Sequence, residues 1–144
     1  MLRDPLVLAG YVIAVLATLL LIRHVARLWP NAPPRIPLQI GLDGRPRWLA
    51  PRGFVWLAPA IVAAVVIVLG FAVAATPPDG TSAPALFLVF LTIAEVCGLV
   101  GWTTGLQVQL GRNQTYRIAP IRLLRAAVPI LLTVLAAVYV GATG

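Results

Sequence analysis

Among its 144 residues the chain has few side chains able to act as acid, base, nucleophile or metal ligand: Asp4, Asp43, Asp79, Glu95, His24 and Cys97. They are scattered, and a metal site needs several ligands that converge. The chain therefore reads as non-enzymatic, with no metal and no other cofactor. Glu95 stands apart because it sits near the middle of an uninterrupted apolar run, three residues after Thr92. Insertion scales put an acidic side chain at the centre of a bilayer near +3 kcal/mol, which roughly six to ten Leu, Ile, Phe or Val residues offset. An acid in that position is a functional candidate by default. Two chemistries fit it: a relay for protons or cations, or a hydrogen bond between helices. Desolvation favours an uncharged carboxyl, with Thr92 or a hydroxyl or carbonyl of another span as its partner. Counted at about 1.5 Å per residue, Glu95 lies roughly 18 Å below the polar boundary near Gln107 and Arg125 only about 7 Å below it, too far apart for a direct pair. His24, beside Arg23 and Arg27, reads as a residue of the membrane interface, and Cys97 as a small packing residue.

The elements that must position Glu95 follow from composition. Hydrophobic residues make up 60% of the chain and charged residues 10%, with a mean hydropathy of +0.97. A soluble domain carries roughly a quarter charged residues. A helix crosses the hydrocarbon core with about 20 apolar residues. Four runs meet that length, at about 5–28, 54–75, 85–106 and 120–140. The expected fold is an all-α membrane protein, a four-transmembrane-helix bundle with short β-hairpin-like cytoplasmic loops. Residues 1–144 then form a single integral membrane domain. The first run has an apolar centre longer than that of a signal peptide and meets Arg23, His24 and Arg27 in place of a cleavage site, so it reads as a retained anchor.

All eleven basic residues are arginines, a compositional hint of a bacterial source. Arg23, Arg27, Arg35, Arg45, Arg47 and Arg52 surround the first connection, and Arg112, Arg117, Arg122 and Arg125 the third. Short basic loops stay in the cytoplasm. The opposite side has Arg3, Asp4 and Asp79, so both termini are expected outside the cytoplasm of a multi-pass protein in the bacterial inner membrane. Trp29, Trp48, Trp56, Trp102 and Tyr116 fall near the cytoplasmic boundary, where amphipathic rings prefer to sit. The basic charge is not interleaved with stacking aromatics on a soluble face, which argues against nucleic acid. Anionic lipid headgroups are its expected partners, at about 1 kcal/mol per arginine.

Both basic connections carry signals for hairpins. Asp43-Gly44 supplies a tight turn between two short extended runs, and Pro37 and Pro46 limit them to edge-type pairing. In the second, Leu106, Val108 and Leu110 alternate with Gln107 and Gln109 ahead of Gly111-Arg112-Asn113, and the chain is expected to return from Gln114 to Ile118. The order helix, basic hairpin, helix occurs twice, with Pro59 and Pro129 early in each second helix, where they are expected to kink it.

The first basic connection also resembles a known signature. Arg35, Ile36 and Pro37, followed by Gly44, Pro46 and Trp48 and then Arg52, are similar to the loop motif of the bacterial membrane family catalogued as domain of unknown function 1648, which also forms the amino-terminal part of SdpI-type immunity proteins. The likeness covers about residues 30–60. Gln39 and Ile40 stand where that family has a histidine and a phenylalanine, so no imidazole chemistry is implied. The resemblance implies a bacterial membrane protein in toxin protection or signalling. Two alternatives follow from the residues themselves. With so little chain outside the spans, it could be an accessory subunit of a larger membrane complex; with Glu95 as a relay, it could be a small proton- or cation-coupled transporter, as a homo-oligomer.

Overall fold

The computed structural model describes residues 4–38, 48–75, 83–112 and 120–143. Four helices dominate it: α1 Pro5–Leu28, α2 Leu57–Ala75, α3 Ala83–Arg112 and α4 Pro120–Thr143. Helix α1 starts where the side chain of Asp4 accepts from the backbone N–H groups of Leu6 at 2.9 Å and Val7 at 3.3 Å, with Pro5 in the first turn. An acidic cap satisfies donors that the helix leaves unpaired and complements its dipole. A short 3-10 turn, Trp29–Asn31, ends it ahead of Pro33 and Pro34. Another, Arg52–Trp56, leads into α2, so Pro59 falls in the first turn of that helix. A proline is tolerated in a first turn, where its missing N–H costs least. Pro129 does lie inside α4.

Among the described residues three helical stretches, Pro5–Asn31, Arg52–Ala75 and Ala83–Arg112, are long and apolar enough to cross a membrane. In α4 the apolar part, Ala127–Val140, is shorter. Arg122 and Arg125 break its first turns.

Small side chains set the packing. The buried positions of α1 are Val7, Gly10, Ala14, Thr18, Leu21 and Val25, a seam at steps of three and four. Its partner on α3 carries Phe90, Cys97, Gly101, Thr104 and Val108. A Cβ at Gly10 would lie 3.2 Å from the Phe87 Cα, Thr18 Oγ1 is 3.7 Å from Cys97 Sγ, and a Cβ at Gly101 would lie 3.5 Å from Leu21. Partners therefore climb both helices together, so α1 and α3 run parallel. Such close approach depends on small residues, because packing takes over where lipid removes the usual hydrophobic drive. The hydroxyls on this seam are satisfied by their own helices: Thr18 donates to the Ala14 carbonyl at 2.8 Å and Thr104 to that of Val100 at 2.7 Å. Helix α2 joins α1, with Gly70 beneath the Tyr11 ring, and Tyr11 meets Phe90 edge-on at 5.5 Å. Helix α4 packs mainly on α3. The outward faces remain apolar, with Leu16, Leu20, Val68, Phe71, Leu132 and Val138 more than half exposed.

Between α1 and α2 lies an antiparallel pair, β1 Arg35–Pro37 and β2 Leu49–Pro51, aligning Arg35 with Pro51, Ile36 with Ala50 and Pro37 with Leu49. Flanking bonds run from Arg52 N to the Pro34 carbonyl at 3.0 Å and from Leu38 N to the Trp48 carbonyl at 2.7 Å. In an antiparallel ladder hydrogen-bonded and non-bonded pairs alternate. Pro37 and Pro51 consequently occupy the non-bonded pairs, where a missing N–H costs nothing. The proposed turn at Asp43-Gly44, with Pro46, lies outside the described residues.

The second expected hairpin is corrected. Residues 106–112 continue α3, which is 30 residues long. The apparent alternation covered only five residues, whereas Gly101, Thr104, Val108 and Gly111 mark a helical face over a longer stretch. Val108 and Leu110 are buried on that helix and not on a strand. Among the described residues the second half has no strand to match β1 and β2, and Gln114–Ile118 lie outside them.

Candidate functional site

The end of α1, the β1–β2 pair, the start of α2 and the end of α3 come together at one end of the molecule. Ile36 is fully buried there, and Pro37 nearly so. Gly111 makes that contact possible: a Cβ on it would stand 2.6 Å from Pro33 Cγ and 3.0 Å from the Arg35 carbonyl oxygen. Sequence reading took Gly111 for a turn residue; its place in a helical row of small side chains was the available signal. The Arg52 guanidinium lies over the Trp29 ring, 4.8 Å from its centroid, and Trp29 faces Trp56 at 6.2 Å and 54°. A cation over an aromatic face contributes about 0.5–1 kcal/mol at an exposed site. This stack ties the 3-10 turn between β2 and α2 to the end of α1.

The motif residues therefore divide by role. Ile36 and Pro37 anchor the strand pair against α3, whereas Arg35, Trp48 and Arg52 are exposed. Arg112 is exposed at the end of α3 and Arg125 on α4. Arg35, Arg52 and Arg112 thus share one end of the bundle. Gly44, Arg45, Pro46, Arg47, Tyr116 and Arg117, as well as the side chain of Arg122, lie outside the described residues.

The second candidate lies in the body of the bundle. Glu95 accepts a hydrogen bond through Oε1 from Thr133 Oγ1 of α4, at 2.9 Å. Its other oxygen, Oε2, is buried with no hydrogen-bond partner among the described residues. Thr133 Oγ1 also lies 3.1 Å from the Pro129 carbonyl. One hydroxyl hydrogen thus faces two acceptors. Thr92, the neighbour expected to serve Glu95, donates to the Leu88 carbonyl at 2.9 Å. The partner is a hydroxyl of another helix, the other form of the expectation. Thr133 is eight residues beyond Arg125, about 12 Å along a helix, which explains why that arginine is not the partner of Glu95.

His24 is exposed beside α3, and Cys97 is buried against Thr18. Among the described residues no three His, Cys, Asp or Glu side chains gather where they could hold a metal ion. No protein-family model matches the chain, and comparison with curated proteins and with solved structures returns no match.

Proposed function

We propose that the chain is a non-enzymatic protein of the bacterial inner membrane, similar in role to the SdpI-type immunity and signalling proteins. It crosses the bilayer four times, with α4 as the last span, and keeps both termini outside. Its working surface is the arginine-bearing end on the cytoplasmic side, where it meets anionic lipids and an acidic partner. The observation that carries this reading is the convergence of Arg35, Arg52 and Arg112 around a strand pair sealed by Ile36, at one end of helices that expose apolar side chains along their length. A surface built for docking needs that combination of rigid support and exposed charge. The test is native mass analysis of the chain extracted from membranes in mild detergent, alongside toxin and envelope-stress sensitivity of a deletion strain. A stress-sensitive deletion supports the reading. A stoichiometric large partner without such a phenotype overturns it in favour of an accessory subunit.

Glu95 favours a second reading, a proton- or cation-coupled carrier. An unpartnered buried carboxyl oxygen, next to a hydroxyl with two acceptors, is a hydrogen-bond set that can rearrange as a proton arrives or leaves. Flux through proteoliposomes that is lost in Glu95→Gln supports it. Equal flux in Glu95→Gln and the parent chain removes it.

A further inference from the structure

We propose that the α1–α3 face holds one anionic phospholipid, its acyl chain in the groove beside Gly98 and its phosphate between Arg23 and Arg27. The proposal rests on the reading that these helices lie in a bilayer. Two hollows meet on this face. The lower, of about 400 Å³, is lined mostly by apolar or small groups, among them Leu20, Leu21, Cys97, Gly98, Gly101 and Trp102. The upper, of about 410 Å³, is lined by Leu20, Arg23, His24 and Arg27. Leu20 and His24 line both, so the two hollows adjoin.

Sequence explains the groove. Glycines at 98 and 101 remove side chains from this face of α3. An added Cβ at Gly98 would meet nothing within 4 Å, so the space beside it is open; at Gly101 it would meet Leu21 at 3.5 Å and His24 at 3.7 Å. His24 leans on the α3 backbone near Gly105, 3.9 Å from where a Cβ would stand, and so marks the upper rim. From Ala94 to Trp102 the groove extends about 12 Å along α3. Its volume is in the range of small-molecule sites, roughly 300–1,000 Å³.

Charge identifies the occupant. Arg23, His24 and Arg27 are exposed at the mouth; among the described residues the acids are Asp4, at the far end of α1, and Glu95, whose carboxyl meets Thr133 of α4. An amphipathic molecule that fits must be anionic at the arginine end and apolar along the span. Guanidinium groups match phosphate oxygens in paired hydrogen bonds. Trp102, about one-third exposed, flanks the tail. A phospholipid with a net negative headgroup meets these requirements from within the bilayer, with no need to enter from water.

The test is native mass spectrometry of the full chain released from bilayers of equal phosphatidylglycerol and phosphatidylcholine. One phosphatidylglycerol is expected to remain bound, with Arg23→Gln/Arg27→Gln lowering its occupancy about tenfold and Gly98→Phe displacing it. Arg125→Gln, exposed on α4, serves as the control and is expected to leave it bound. Gly98→Phe fills open space and Arg23 and Arg27 are surface residues, so neither variant depends on repacking the core. Equal loss in all variants would show diffuse attraction to the basic end, and a dimer abolished by Gly98→Phe would show a second copy in the groove; either overturns the site. Release of the chain by alkaline carbonate would instead refute the membrane reading on which it rests.

Discussion

Thr133 Oγ1 donates to Glu95 Oε1 at 2.9 Å and joins α4 to α3 near the middle of both helices. Helix α4 has its main contact with α3, so this polar bond lies on the surface that holds the fourth helix to the bundle. Hydrogen bonds between membrane helices average about 0.6 kcal/mol and reach about 1.7. A double-mutant cycle of Glu95→Ala and Thr133→Val, read from unfolding in mixed micelles, is expected to give a coupling in that range. Additive effects would mean that the contact does not hold α4.

Gly111 supports a second prediction. A Cβ there would meet the Pro33 ring at 2.6 Å and the Arg35 carbonyl at 3.0 Å, both parts of a stiff segment that cannot rotate aside. Gly111→Val is expected to cost about 1–3 kcal/mol, the usual range for overpacking. Gly53→Val is the control, because a Cβ at Gly53 would meet nothing within 4 Å. Thermal unfolding in detergent checks the pair. Equal stability of the two variants would mean that α3 does not seal the strand pair.

The same residues show why sequence disclosed the spans better than the packing. Apolar length alone marks a helix in lipid, and α1 spans Pro5–Leu28, the range expected. Which face turns inward is hidden, since lipid and core are equally apolar and the usual amphipathic stripe is missing. Only small residues signal the interface, as Gly10, Ala14 and Thr18 do on α1. Alternation over Leu106 to Leu110 misled because five residues do not distinguish a strand from the end of a helix. Glu95 was legible as an intramembrane acid, but Thr133 was not. Nothing in sequence spacing relates positions on different helices, and that partner depends on how α4 is placed against α3.

Tyr11 and Gly70 make a close contact between α1 and α2. A Cβ at Gly70 would lie 2.6 Å from Tyr11 Oη, 2.7 Å from Cε2 and 2.8 Å from Cζ. The ring also meets Phe90 edge-on, with centroids 5.5 Å apart. Gly70→Ala is expected to lower stability by about 1–3 kcal/mol. Tyr11→Phe should not rescue it, because Cε2 and Cζ remain, whereas Tyr11→Leu should recover most of the loss by removing the ring. Rescue by Tyr11→Phe as complete as by Tyr11→Leu would place the clash at the hydroxyl alone.

Topology gives the last prediction. Asp4 caps the start of α1 at the end remote from Arg112, and α1 runs parallel to α3, so residues 4 and 112 face opposite sides of any membrane the two helices cross. Positive charge retained in the cytoplasm places Arg112 inside and Asp4 outside. The chain has one cysteine, Cys97, so a Cys97→Ala background isolates an introduced thiol. Cys97→Ala removes one buried sulfur and its 3.7 Å contact with Thr18, whose hydroxyl keeps its bond to the Ala14 carbonyl. In intact cells a membrane-impermeant maleimide is expected to label Asp4→Cys at once and Arg112→Cys only after the membrane is opened. The reverse pattern would put the arginines on the translocated side and overturn the cytoplasmic docking surface. Immediate labelling of both would show that α1 and α3 do not cross the membrane together.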